Sequence, residues 1–175
     1  MVQGAVSEEL REGIQLLHAA SYRWALACCG RDRDEAEEVL QAAYVQILEG
    51  KARFEGRSTL KTWLFAVIYR TASSSRRKLF ARLRLHSNLK REPARFDAHM
   101  PPPEILEQSE RHAALRRALG TLSARQRETL ELVFYQNFTI AEAASALGIS
   151  VGSARVHYER GKANIFEALR AGGYL

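Results

Sequence analysis

The chain of 175 residues has only two cysteines, and they are neighbours, Cys28 and Cys29. Successive residues on a helix point about 100° apart, so the two do not make a metal-ligand pair. Its histidines, His18, His86, His99, His112 and His157, are scattered without metal-ligand spacing. Buried, reduced thiols in a reducing compartment are therefore the expectation. Prolines number four, all between positions 93 and 103, so elsewhere no proline interrupts a helix. The β-branched alternation that marks strands is nearly absent. No apolar run approaches the length of a membrane span, and no signal-peptide pattern opens the chain. Asp32, Asp34 and Asp97 do not gather on one inward face, as a metal-dependent nuclease would require. These absences predict a cytoplasmic, all-α protein that is not an enzyme, uses no cofactor or metal and inserts no helix into a membrane.

What the chain does carry is segregated charge. Its net charge of +6 conceals a balance of −5 over residues 1–49, +11 over 50–95 and zero over 96–175. This distribution predicts a polyanion-binding middle segment and a different partner for the N-terminal face.

Helical periodicity runs nearly throughout. Ser7 before Glu8 and Glu9, Asp32 with Glu35, Ser123 with Gln126 and Thr139 with Glu142 mark helix starts, and Gly30, Gly50 and Gly148 mark ends. "EPARFDAHMPPP" (Glu92–Pro103) breaks the pattern, because Pro101–Pro103 hold the backbone extended. Two small helical domains, 1–90 and 107–175, joined by a proline-containing linker at 91–106, are expected.

In the C-terminal part, a first helix is expected to bury Leu130, Val133 and Phe134. A second, capped by Thr139, buries Ala143, Ala144 and Leu147 and stops at Gly148. A third, capped by Ser150, turns Ala154, Tyr158, Gly161, Ile165 and Leu169 inward. This order describes a helix-turn-helix. The outer face of its last helix carries Ser153, Val156, Glu159 and Arg160, flanked by Arg155 and Lys162. Arg offers bidentate bonds to guanine in the major groove, and Ser or Val meets a base edge or a thymine methyl. Glu159 either accepts from a cytosine amine or orients Arg155 or Arg160.

The N-terminal part contains an amphipathic helix, "RDRDEAEEVLQAAYVQILEG" (Arg31–Gly50). Val39, Ala43 and Ile47 point inward, while Glu35, Glu37, Glu38 and Gln41 lie outward. That acidic face suits water or a protein with basic residues, and repels DNA. In the next segment, "KARFEGRSTLKTWLFAVIYRTASSSRRKLFARLRL", Leu60, Leu64, Val67 and Thr71 mark a core face. Phe65 and Tyr69, four residues apart, either pack on a neighbouring helix or stack on unpaired bases, with Arg and Lys following the phosphates. Tyr69, Arg70, Arg76 and Arg77 are the DNA candidates.

Together these features resemble the bacterial RNA polymerase sigma factors of the extracytoplasmic-function type, within the sigma-70 superfamily. "EAEEVLQAAY" is similar to the family's acidic-helix motif, matched at Glu37, Glu38, Gln41 and Tyr44, and departs from it at Ala42 and Leu48. "FEGRSTLKTWLFAVIYRTA" resembles the promoter-melting segment, with Phe54, Gly56, Ser58, Thr62, Trp63, Leu64 and Phe65 in register and Arg70 where Asn is frequent. The segment Leu122–Ile165 resembles region four.

The resemblance implies that Glu37, Glu38, Gln41 and Tyr44 dock on the RNA polymerase core. It implies that the loop Phe54–Thr59 captures a flipped base of the melted non-template strand at the minus-ten element, with Phe54, Gly56, Ser58, Thr59 and Trp63 at the site. The C-terminal helix reads duplex promoter DNA at the minus-thirty-five element, and an anti-sigma factor occludes the same surfaces. The alternative is a stand-alone helix-turn-helix regulator, which ordinarily needs a dimer interface; no heptad seam supplies one.

Overall fold

The computed structural model describes residues 7–86 and 106–174; the proline-containing stretch Glu92–Pro103 and all but the end of the expected linker lie outside them. The chain separates into two compact units. The first is built from α1 (Glu8–Leu16), α2 (His18–Cys28), α3 (Arg33–Leu48) and α4 (Leu60–His86). The second holds α5 (Leu106–Thr121), α6 (Ala124–Leu130), a π turn (Glu131–Tyr135), α7 (Ile140–Leu147) as far as Ala144, and α8 (Val151–Ala171). No strand occurs among the described residues.

Helices begin where the capping residues stand. Ser7 Oγ accepts from the Leu10 N–H, and Asp32 Oδ1 from the Glu35 N–H at 3.0 Å. Ser123 and Gln126 close a reciprocal capping box at the start of α6. Thr139 and Glu142 form another before α7, the carboxylate accepting from the Thr139 N–H at 2.8 Å. Each such cap contributes about 1 kcal/mol by giving an orphan N–H a partner.

In the first unit α2, α3 and α4 pack on one another around Trp24, which is wholly buried with Ala36, Ala43, Leu64, Phe65 and Ile68. The indole Nε1–H donates to the Phe65 carbonyl at 3.0 Å. Its ring stacks on Phe65 at 5.8 Å with only 5° between planes, and on Tyr69 at 6.2 Å. Both outward-facing aromatic candidates are therefore core residues: Phe65 is 0 % and Tyr69 7 % exposed. The reason is that α4 lies between two neighbours, so it buries two faces and not one. The assignment of Tyr69 to DNA is corrected on this ground.

The second unit departs from its expected register at one place. Leu130 and Leu132 are buried, Val133 is half-buried, and Phe134 is 58 % exposed. A π turn explains this. The Gln136 N–H bonds to the Glu131 carbonyl and the Phe138 N–H to the Leu132 carbonyl. That wider winding turns Leu132 inward and carries Phe134 out. Gly161 brings α8 against α6 so closely that a Cβ there would stand 2.8 Å from Leu130 Cδ1.

Candidate protein and nucleic-acid interfaces

The acidic helix α3 presents a continuous outer strip. Glu37, Glu38 and Gln41 are exposed, and one and two turns further on so are Val45 (49 %) and Leu48 (56 %). The N-terminal half of the strip is thus charged and the C-terminal half apolar. Val45 escaped the sequence reading, although an exposed apolar residue four after Gln41 is its signal. Tyr44 stands apart from the strip's centre. It is half-buried, its hydroxyl lies 3.1 Å from His18 Nδ1, and burial pushes that hydroxyl above the ordinary phenolic range. With Arg11, Ile14, Gln15, His18, Ile47 and Leu48 it lines a groove of about 560 Å³ between α1, α2 and α3.

On α4 a second strip runs down from the loop that precedes it. Phe54 and Trp63, both half-buried, meet ring to ring at 5.3 Å with 52° between planes. Gly56 is exposed, next to an ion pair between Arg57 and Glu55 at 2.6 Å. Ser58 is half-buried and its hydroxyl donates to the Thr59 carbonyl. Thr59 caps α4, accepting from the Thr62 N–H at 3.1 Å and pairing with the Thr62 hydroxyl at 2.8 Å.

Below Trp63, Arg70 and Arg77 follow at intervals of seven residues on the same face, and both are exposed. The strip from Trp63 to Arg77 extends about 20 Å along the helix axis. Arg76 does not share that face. It is half-buried, and its charge acts on Cys29 and Glu35 near the start of α3, favouring their ionised forms against burial. Arg77 and Lys78, both exposed, are the cations at the end of the strip.

Cys28 and Cys29 are buried free thiols. Burial first, then the carboxylate of Glu35, pushes the Cys29 thiol up to about 12, with Arg76 pulling the other way. An unfolded chain releases that proton near the ordinary thiol value, so above about pH 9 the native state binds more protons than the unfolded one. Stability contributed by the neutral thiol is accordingly present below about pH 9 and lost as pH rises toward 12. Thermal melts of Cys29→Ala should decline less between pH 9 and pH 11 than those of the parent chain. Equal slopes would sink the assignment.

In the second unit α7 and α8 form the helix-turn-helix. Ala143, Ala144 and Ala154 are buried, small enough for close packing. Gly148 turns the chain with φ +64°, a conformation natural to glycine, and the Ile149 N–H closes on the Ala144 carbonyl. Ser150 then caps α8, accepting from the Ser153 N–H at 3.1 Å and donating to the Ser153 hydroxyl. Ser153, Arg155, Val156, Glu159 and Arg160 are all exposed on the outer side of α8. Lys162 is different. Its ammonium pairs with Glu159 at 3.0 Å and stands 4.4 Å from the centre of the Tyr158 ring. Glu159 is thus held by Lys162, not by Arg155 or Arg160. Tyr158 in turn stacks on Phe134 at 5.8 Å.

Among the described residues no group of His, Cys, Asp or Glu could hold a metal ion, and no helix is long and apolar enough to cross a membrane.

Two family models match this chain in order: Sigma-70 region 2 over residues 14–80 and Sigma-70, region 4 over residues 112–165. Between them they cover about two thirds of it. The chain is 29% identical over 133 residues to the ECF RNA polymerase sigma factor SigX of Bacillus subtilis, covering 75% of this chain and 69% of that one. It is 27% identical over 169 residues to the RNA polymerase sigma factor CarQ of Myxococcus xanthus, covering 93% and 94%. Its fold is similar to that of the sigma factor RpoE solved in complex with the anti-sigma factor NepR from Bartonella quintana. There the TM-score is 0.73 at 22% identity, over 94% of this chain and 98% of that one. With both conserved regions in order along one all-helical chain, the protein belongs to the sigma-70 family as an alternative sigma factor of the extracytoplasmic-function type, which directs RNA polymerase to promoters.

Proposed function

We propose that residues 1–90 act as region 2, 91–106 as the linker and 107–175 as region 4, with the work of initiation divided among three surfaces. The strip Glu37, Glu38, Gln41, Val45 and Leu48 on α3 docks on the polymerase core, with Tyr44 at its edge. Ser153, Arg155, Val156, Glu159 and Arg160 on α8 meet the minus-thirty-five duplex. Phe54, Gly56, Ser58, Thr59 and Trp63, followed by Arg70 and Arg77, take the melted non-template strand at the minus-ten element. The observation that carries this reading is the strip on α4, where two half-buried rings, Phe54 in the preceding loop and Trp63 on the helix, lead to exposed cations spaced along one helix face. Base stacking lost in the duplex is regained on aromatic surface, while Arg follows the phosphates. The protein catalyses no reaction of its own in this scheme, works in the cytoplasm, and is held inactive by an anti-sigma factor. A neighbour in fold, RpoE, is solved in complex with one.

Co-purification with core polymerase followed by run-off transcription tests the whole scheme. Tight duplex binding with no affinity for core would overturn it in favour of a stand-alone regulator. A narrower test separates the two arginines. Arg70→Ala should change the preferred base at the minus-ten element. Arg77→Ala should weaken all promoters alike and lessen the logarithmic salt dependence by about 0.7, the value for one contact to a single strand. An unmoved minus-ten preference in Arg70→Ala removes that residue from base readout.

A further inference from the structure

Glu159 sits on the outward side of α8 among the groups offered to duplex DNA, one turn beyond Val156 and beside the exposed Arg155 and Arg160. Its side chain is 60 % exposed. A carboxylate facing a polyanion is repelled by the phosphates, so it lowers affinity unless a donor on the DNA meets it. The major groove offers only two such donors, the amino groups of cytosine and adenine. Adenine sets its N7 acceptor beside the amino group, and two acceptors opposed to each other repel. Cytosine has no acceptor of its own on that edge, only a C5–H beside the amine, and is the base a carboxylate selects.

The structure also supplies what such a carboxylate needs to act as a reader. Lys162 pairs with it at 3.0 Å, which offsets the local negative charge and fixes the direction of the oxygen atoms. The lysine is itself anchored 4.4 Å from the centre of the Tyr158 ring, and Tyr158 stacks on Phe134 from the π turn. The chain Phe134–Tyr158–Lys162–Glu159 therefore runs from the exposed π turn to the DNA face of α8. We propose that Glu159 selects a cytosine in the minus-thirty-five element and that Lys162 is its positioning residue. This rests on the sigma-factor reading of α8.

The test uses holoenzyme reconstituted from core polymerase and the full chain, with a library of promoters randomised across the minus-thirty-five element and run-off transcripts sequenced. The parent chain should enrich cytosine at one position by about fivefold or more, the lower end for a specific base contact. Glu159→Ala should flatten that position and leave the others unchanged. Glu159→Gln should move the preference there toward adenine, which an amide recognises. Lys162→Met should reduce the cytosine preference and Lys162→Arg restore it. A cytosine enrichment that survives Glu159→Ala, or a flattened position that was not cytosine, overturns the proposal. Preference unmoved in Lys162→Met removes the positioning role. No promoter-dependent transcript from the parent chain would overturn the sigma reading and this proposal with it. Normal transcription with an unchanged profile in Glu159→Ala overturns this proposal alone.

Discussion

Reversing the charges of Glu37 and Glu38 to Lys should lower the affinity of the chain for core polymerase by about a hundredfold or more, and promoter-dependent transcription with it. The expectation follows from placing like charges against a partner selected for the opposite sign, which costs several kcal/mol; each 1.4 kcal/mol is a factor of ten. Both carboxylates are exposed on α3, and the cap on Asp32 and the acidic first turn at Asp34 and Glu35 remain. The helix should therefore stay folded, which circular dichroism checks.

The apolar half of the strip contributes differently. Leu48→Ala removes contact area but no charge, and should cost about 1–2 kcal/mol of docking. Its effect should persist at high salt, where the contribution of Glu37 and Glu38 is screened. Core-binding titrations at two salt concentrations separate the halves. If the double reversal leaves core affinity intact, α3 is a solvated face and the docking surface lies elsewhere.

The caps were legible in the sequence because each is a local event: a Ser, Asp or Thr side chain reaches an N–H two or three residues on. Ser7, Asp32, Ser123, Thr139 and Ser150 all cap as their spacing says. The turn at Gly148 was legible for the same reason. Whatever depended on a third body was not. Periodicity left Phe65 and Tyr69 open between core and bases, because a helix wedged between two neighbours has two apolar faces and no period distinguishes the second from a ligand site. The π turn leaves no mark in composition either, so an α-helical count placed Val133 and Phe134 inside where Leu132 belongs. On the DNA faces the residue types were readable but their partners were not. Lys162 turned toward Glu159 and Tyr158, because a long cation goes where a neighbouring carboxylate or ring lies, and that is set by packing.

Trp24→Ala should have the largest effect on stability of any single change in the first unit. The side chain is fully buried, stacks on two rings and gives its one N–H to a backbone carbonyl of α4. Truncating a buried Trp costs about 3–5 kcal/mol, against a total of about 5–15 kcal/mol for a domain. At about 4–8 °C per kcal/mol for a unit of this size, the melting temperature should fall by about 15 °C or more. Trp24→Phe keeps most of the stacked area but abandons the hydrogen bond to the Phe65 carbonyl, and should cost about 1–2 kcal/mol, the loss of that hydrogen bond plus a small void.

The two substitutions also carry a functional consequence, because the indole is what fixes α4 against α2. In Trp24→Ala the strip from Trp63 to Arg77 loses its backing, so promoter opening should fail at temperatures where the parent chain still opens the same promoter. Potassium permanganate footprinting of melted bases reads the difference. Opening that survives Trp24→Ala at a temperature above the variant's melting point would show that strand capture does not depend on α4 being held in place.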